Sequence, residues 1–379
     1  MRKILVLCLL LCLLMPSAVS GEDEDWSMFD DLDGEIILDD VEEEEAAASI
    51  YEDDGSVLLT MTFTGDFTIG KNAKSRTDIF DRELNEQGGD PGFCMQNVRD
   101  ILAADDLTVI NFEGTLTTST VIPKAKQGNS FLFSAPPSYV SILTENSIEC
   151  ASLENNHTMD FGEEGFADTR RTLEEAGVVA STTEQWGVIN IKGVDVCILS
   201  YLCIDRYDKP VGGYATLYEK VAADIGSAKA QYPIVIVCFH WGVEKDYAPT
   251  SNQIRMGRAA VDAGADLVIG NHSHRIQPIE CYNGVYICYS LGNFCFAGNH
   301  KPDDMTSILF QTRFRVKDGT VTNEGFRIIP IRISSRKDYN NFIPTPLTDV
   351  TNQDGVVTTL KTNGRKLTYA VEDYPLDWE

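Results

Sequence analysis

Three of the five histidines in this 379-residue chain stand just past two apolar, strand-like runs. Residues 234–239 lead into His240-Trp241-Gly242, and residues 267–269 lead into Gly270-Asn271-His272-Ser273-His274. Neutral imidazoles gathered in this way suit a divalent transition metal. The same placement recurs upstream. Residues 57–63 end at Thr64-Gly65-Asp66, residues 107–110 end at Asn111-Phe112-Glu113-Gly114, and residues 147–153 precede Asn155-Asn156-His157. Gly-Asp is an ordinary turn pair, so one such placement would carry little; its recurrence at successive strand ends is the argument.

The elements between these residues bring them together. Residues 253–263 read as a helix with Ile254, Ala259 and Val261 on its apolar side, giving a strand-helix-strand unit. Loops at the carboxyl ends of strands in such units meet at one rim, where Asp66, Glu113, Asn156, His157, His240, His272 and His274 collect. Carboxylate, amide oxygen and imidazole together suit one or two divalent Mn, Zn or Fe ions, and the lack of a Cys-x-x-Cys pair excludes a structural zinc knot. A carboxylate bridging two such ions would arrange in-line attack on a phosphorus centre, and an uncoordinated histidine could protonate the leaving oxygen.

Residues 57–346 carry one continuous alternation of strand and helix signals, long enough to bury a sizeable core as one domain. Helices are expected over 91–104, 163–176 (capped by Gly177) and 217–230. Hairpins are expected at Lys192-Gly193, Asn283-Gly284 and Asp318-Gly319. The loops 115–130 and 205–213 are polar and without periodicity. Residues 347–379 read as a polar tail with one weak helix.

At the start, Met1-Arg2-Lys3, an apolar run to Met15 and Ser17-Ala18-Val19-Ser20 predict a secretory signal peptide over 1–20. Residues 21–56 predict an acidic, extended tether: seventeen Asp or Glu and no Lys or Arg fall between Gly21 and Asp54. The net charge of -27 argues against nucleic acid as a partner. The eight cysteines after the signal fall mostly in apolar runs, so buried thiols are expected. Cys197 with Cys203, or Cys281 with Cys288, are the pairs to examine for a disulfide.

Taken together, Gly65-Asp66, Asn111-Phe112-Glu113-Gly114, Asn155-Asn156-His157-x-x-Asp160-x-Gly162, His240-Trp241-Gly242-x-Glu244, Gly270-Asn271-His272-Ser273-His274 and Tyr289-Ser290-Leu291-Gly292-Asn293-Phe294 resemble the successive motifs of the CapA family. This family of capsule or poly-gamma-glutamate synthesis proteins is a branch of the calcineurin-like metallophosphoesterases. The resemblance implies a four-layer α/β/β/α sandwich of two mixed sheets with the site at the strand ends. It implies that Asp66 and His274 hold one metal, that Asn156, His240 and His272 hold the other, and that Glu113 bridges. His157 falls at the general-acid position, with Asn111, Asp160, Glu244 and Asn293 supporting. Two departures from the superfamily weaken the first metal site: Thr68 stands where an Asp-x-His imidazole is usual, and Glu113 replaces a bridging Asp. The implied function is an exported metal-dependent hydrolase, phosphoesterase-like, in capsule or polyglutamate handling at the cell envelope. The alternative is a non-catalytic envelope protein that binds polymer on the same fold. Implied partners are a cell-envelope polymer or its precursor, polyglutamate included, and membrane proteins of capsule synthesis.

Overall fold

A computed structural model of the chain describes residues 49–204 and 214–378, with Ser49–Glu379 forming one compact unit. The expected leader 1–20, most of the acidic stretch and residues 205–213 lie outside the described residues. No helix among the described residues is long and apolar enough to cross a membrane.

Two mixed sheets carry the fold. The larger runs Thr345–Pro346, Thr320–Arg332, Thr306–Lys317, Val57–Thr68, Leu107–Phe112, Cys150–Ser152, Val179–Ser181, with Asn293–Phe296 added beside the end of Val57–Thr68. The smaller runs Ile276–Tyr282, Val285–Leu291, Leu267–Asn271, Ile234–Trp241, Val194–Cys203, Gly187–Ile191. In each sheet the central strands pair in parallel; antiparallel hairpins complete both edges of the smaller sheet and one edge of the larger, whose other edge strand, Val179–Ser181, is parallel.

The period of two along each strand builds the layers. Val57, Leu59, Met61 and Phe63 share one core with Val196, Ile198, Ile234 and Ile236 of the other sheet. The alternate residues face outward. Ile110, Phe112 and Ala151 pack with Leu173, Ile142 and Phe80 on one side; Cys197, Leu199, Val235 and Val237 pack with Val221, Ile225 and Ala260 on the other. Helices outside, two sheets inside: the expected four-layer sandwich is the one observed.

Several local expectations differ from the structure. Residues 91–104 form a 3-10 turn, Pro91–Met95, and a short helix, Arg99–Leu102, because Val98 between them adopts φ -124°. The helix Ser251–Asp262 starts at a capping box between Thr250 and Gln253; it buries Val261 and packs Ile254 against the core as expected, and buries Met256, Gly257 and Ala260 as well. No disulfide joins the described cysteines. Cys197 and Cys203 sit on one extended strand, about 20 Å apart at the usual rise. Cys281 pairs across its hairpin with Tyr286, and Cys288 with Ile279.

The segment after 346 is part of the packed unit. Val356 and Leu360 of the helix Val350–Gly364 join the core between the sheets, and the Tyr374 hydroxyl accepts a hydrogen bond from Ile279 N at 3.2 Å. At the other end, the turn at Glu52–Ser56 closes by backbone bonds, and Asp54 reaches Lys317 at 2.9 Å.

Candidate metal centre

The rim forms where the carboxyl ends of the parallel strands converge. Asp66 lies opposite Asn111 on one side and Asn293 on the other, and His240 lies opposite Asn271. Gly65 permits this approach: a Cβ there would stand 2.2 Å from the Gly292 carbonyl oxygen, which accepts Asp66 N at 2.9 Å. Gly270 is forced in the same way, since its Cβ would stand 2.2 Å from the Tyr289 carbonyl and 2.3 Å from the Trp241 indole nitrogen. His272 and His274 then turn out of the sheet with φ 96° and 53°, strain of the kind that concentrates at functional sites.

The side chains meet as two groups around Glu113. In the first, Asp66 Oδ2 lies 3.0 Å from His274 Nδ1, which is also 2.9 Å from Asn293 Oδ1. Asn111 Nδ2 donates to Asp66 Oδ1 at 2.8 Å, fixing the carboxylate. In the second, His240 Nε2 lies 2.7 Å from Asn156 Oδ1 and 3.0 Å from His272 Nδ1. Glu113 sits between them, and Asp66, Glu113 and His240 each offer an atom within 4.8 Å of the others. His157 Nε2 is 3.7 Å from Glu113 Oε1, while its Nδ1 is 2.7 Å from Asp160 Oδ2.

Burial sets the charges. Both Glu113 oxygens are buried without a hydrogen-bond partner, and burial, followed by the charge of Asp66, pushes the Glu113 pKa well above the usual carboxylate range. Burial and the neighbouring histidines drive His240 well below its ordinary value and His272 down to about 3, so both rings are neutral. For His274 burial acts downward, but Glu113 and the bonded Asp66 prevail and raise it to about 9. A buried carboxylate with two empty acceptors, ringed by neutral imidazole and amide oxygen, fits a divalent cation; hydrogen bonding within the protein leaves it unsatisfied.

Of the residues singled out from sequence, Asp66, Glu113, Asn156, His157, His240, His272 and His274 meet at this rim. Asn111, Asp160 and Asn293 bond directly to them. Glu244 is exposed and lines the adjoining cleft together with Asn156 and His157, from where its charge acts on Glu113 and His274. Asn271, read as a loop residue, closes the strand Leu267–Asn271 and reaches Thr64 O of the other sheet at 3.4 Å. The structure gives roles to four further residues, of which Thr68 and Asn155 figure in the sequence motifs and Phe133 and Lys126 do not. Thr68 Oγ1 donates to the Glu113 carbonyl at 2.8 Å, and Asn155 Nδ2 donates to Phe112 O at 2.8 Å. The Phe133 ring lies 4.4 Å from that of His157, and Lys126 lies 3.1 Å from Asp160 Oδ1. Lys124 and Lys126 are the two Lys or Arg residues between Arg99 and Arg170. Together Lys126, Phe131, His157 and Glu244 line a cleft of ≈ 600 Å³.

The fold and rim define a four-layer α/β protein with a candidate metal centre at its strand ends. Residues 60–298 match the family model described as "Bacterial capsule synthesis protein PGA_cap", and the chain belongs to that family. The "PGA biosynthesis protein CapA" of Bacillus subtilis (strain 168) is 29% identical over 346 residues, covering 87% of this chain and 83% of that one. The "Capsule biosynthesis protein CapA" of Bacillus anthracis is 28% identical over 291 residues, 69% and 68% of the two chains. Among solved structures, the calcineurin-like phosphoesterase YfkN from Bacillus subtilis aligns with a TM-score of 0.45 at 14% identity, over 82% of this chain and 100% of that chain.

Proposed function

We propose that this chain is an exported metal-dependent hydrolase of the phosphoesterase type, acting on a cell-envelope polymer or its precursor in capsule or polyglutamate synthesis. The observation that carries this reading is Glu113: a fully buried carboxylate, both oxygens unpartnered, set between two groups of ligand-type atoms. Asp66 and His274 would hold one divalent Mn, Zn or Fe ion, Asn156, His240 and His272 the other, with Glu113 shared. Such ions supply Lewis-acid polarisation of the ester and acidify water.

The chain's own residues do the rest. Asn111 orients Asp66 from one side and lies 3.2 Å from His240 Nδ1 on the other, so that His240 Nε2 faces the site. Asp160 holds His157 by Nδ1 and leaves Nε2 toward Glu113, placed to give a proton to the leaving oxygen. Phe133 packs on the ring and keeps water from that side. Export rests on the leader motif; a mature chain beginning near Gly21 supports it, and recovery of the intact chain from membranes contradicts it.

A second reading, a non-catalytic polymer-binding protein with a structural metal, is favoured by Thr68, whose hydroxyl is spent on the Glu113 carbonyl where an imidazole would strengthen the first metal position. Hydrolysis of an aryl phosphodiester with added Mn separates the two. The first reading expects metal-dependent turnover that falls about 100-fold in His157→Ala. Metal binding without turnover would leave the second.

A further inference from the structure

The chemistry proposed for the rim uses two residues of one short turn, Asn156 as ligand and His157 as acid. Asp160 holds the His157 ring, but Asn156 and the second Asp160 oxygen find no bond inside the turn. Its internal bonds are local: Thr158 N to Asn155 O, Asp160 N to His157 O, and His157 N to Asn155 Oδ1. Asn155 Nδ2 ties the start of the turn to Phe112 O; the rest of the anchoring comes from the segment 124–133, a loop without periodicity that runs into the strand Phe133–Ala135. Lys126, in the 3-10 turn Lys124–Lys126, donates to the Asn156 carbonyl and lies 3.1 Å from Asp160 Oδ1. Phe133, at the far end of the same segment, donates its N–H to Asp160 Oδ2 at 2.8 Å and lays its ring against His157.

We propose, resting on the catalytic reading above, that Lys126 is a positioning residue that sets Asn156 and His157 together by clamping the turn between them. One ammonium group satisfies two demands. It neutralises Asp160, whose side chain is 0% exposed and must stay in place to hold His157 Nδ1. It also pins the backbone of Asn156, whose side-chain oxygen meets His240 Nε2 at 2.7 Å. The Lys126 side chain is itself only 18% exposed, so the pair is shielded from solvent, where loss of one partner leaves the other charge buried and uncompensated. A misplacement of the acid by about 1 Å is enough to lower a rate by about 100-fold. The segment's remaining side chains at the cleft, Phe131 among them, are exposed and hold nothing comparable.

The test compares the full chain carrying Lys126→Met or Lys126→Arg with the wild type, using hydrogen exchange of the turn amides and Mn-dependent phosphodiester kinetics. For Lys126→Met the expectation is exchange at His157, Thr158 and Asp160 faster by about tenfold and kcat lower by about tenfold or more at unchanged KM, with Lys126→Arg recovering most of both. Turn exchange equal to wild type in Lys126→Met overturns the proposal. A raised KM at unchanged kcat also overturns it, because Lys126 would then be a substrate contact. If the wild type shows no turnover, the catalytic reading fails by itself and the exchange arm decides whether Lys126 clamps the turn.

Discussion

The two ends of the same sheets treat carboxylates in opposite ways: those at the strand starts are half-buried and bonded, while Glu113 at the strand ends is buried and unbonded. Where the parallel strands begin, each acid completes the backbone. Asp106 accepts Thr60 N at 2.9 Å and pairs with Lys192; Glu149 accepts Thr108 N at 2.8 Å; Asp266 accepts Val235 N at 2.8 Å and pairs with Lys229 at 2.6 Å. Where the strands end, Glu113 is fully buried with no donor at either oxygen. Strand starts need acceptors for their first N–H groups, and these acids supply them. The other end leaves acceptors idle, which costs stability unless a cation arrives. One end is built for folding, the other for a ligand.

Breaking the first end should affect folding alone. Asp266→Ala frees Val235 N and removes a partly exposed ion pair from Lys229, which keeps its bond to Pro233 O, so urea denaturation should show a loss of about 1–2 kcal/mol. Metal affinity, measured by calorimetry, should stay as in wild type; a change in it would blur the division between the two ends.

A smaller effect sharpens the division through pH. Burial raises the Asp105 pKa to about 7, partly offset by hydrogen bonds from Thr62 and Thr108, against about 3.9 in an unfolded chain. Between these values the folded protein holds a proton that the unfolded chain has released, so stability is greatest below about pH 4 and declines as pH rises to about 7. The decline should be on the order of 1 kcal/mol given the partial exposure of Asp105, and Asp105→Asn should remove it. Thermal melts of both proteins across this range check the sign; a slope that persists in the variant would assign the effect elsewhere.

How much of this was legible before the fold follows from which residues act through their own strand. Asp66, Glu113, His240 and His272 could be found because each ends or follows an apolar run, and parallel pairing does the rest. Asn156 and His157 were legible from their place after the short strand Cys150–Ser152. Lys126 and Phe133 were not, because their partners Asp160 and Asn156 lie about thirty positions away across a loop without period. The role of Thr68 was hidden for a related reason: a missing imidazole is visible in sequence, but a hydroxyl bonded to the Glu113 backbone is not. The helix Val350–Gly364 was read as part of a tail since its buried stripe amounts to Val356 and Leu360, too few apolar positions to declare a packed face.

The central claim is that Glu113 stays unpaired for the sake of a cation, and thermal unfolding of wild type and Glu113→Gln, each metal-free and with Mn in large excess, tests it most directly. Burial already favours the protonated, neutral form of Glu113 without metal, so replacing it with a neutral amide should leave the metal-free variant about as stable as metal-free wild type. Mn at about 100 times its Kd should stabilise wild type by about 2.7 kcal/mol and leave the variant where it was. A metal-free variant less stable than wild type, or equal stabilisation of both proteins by Mn, would contradict the account.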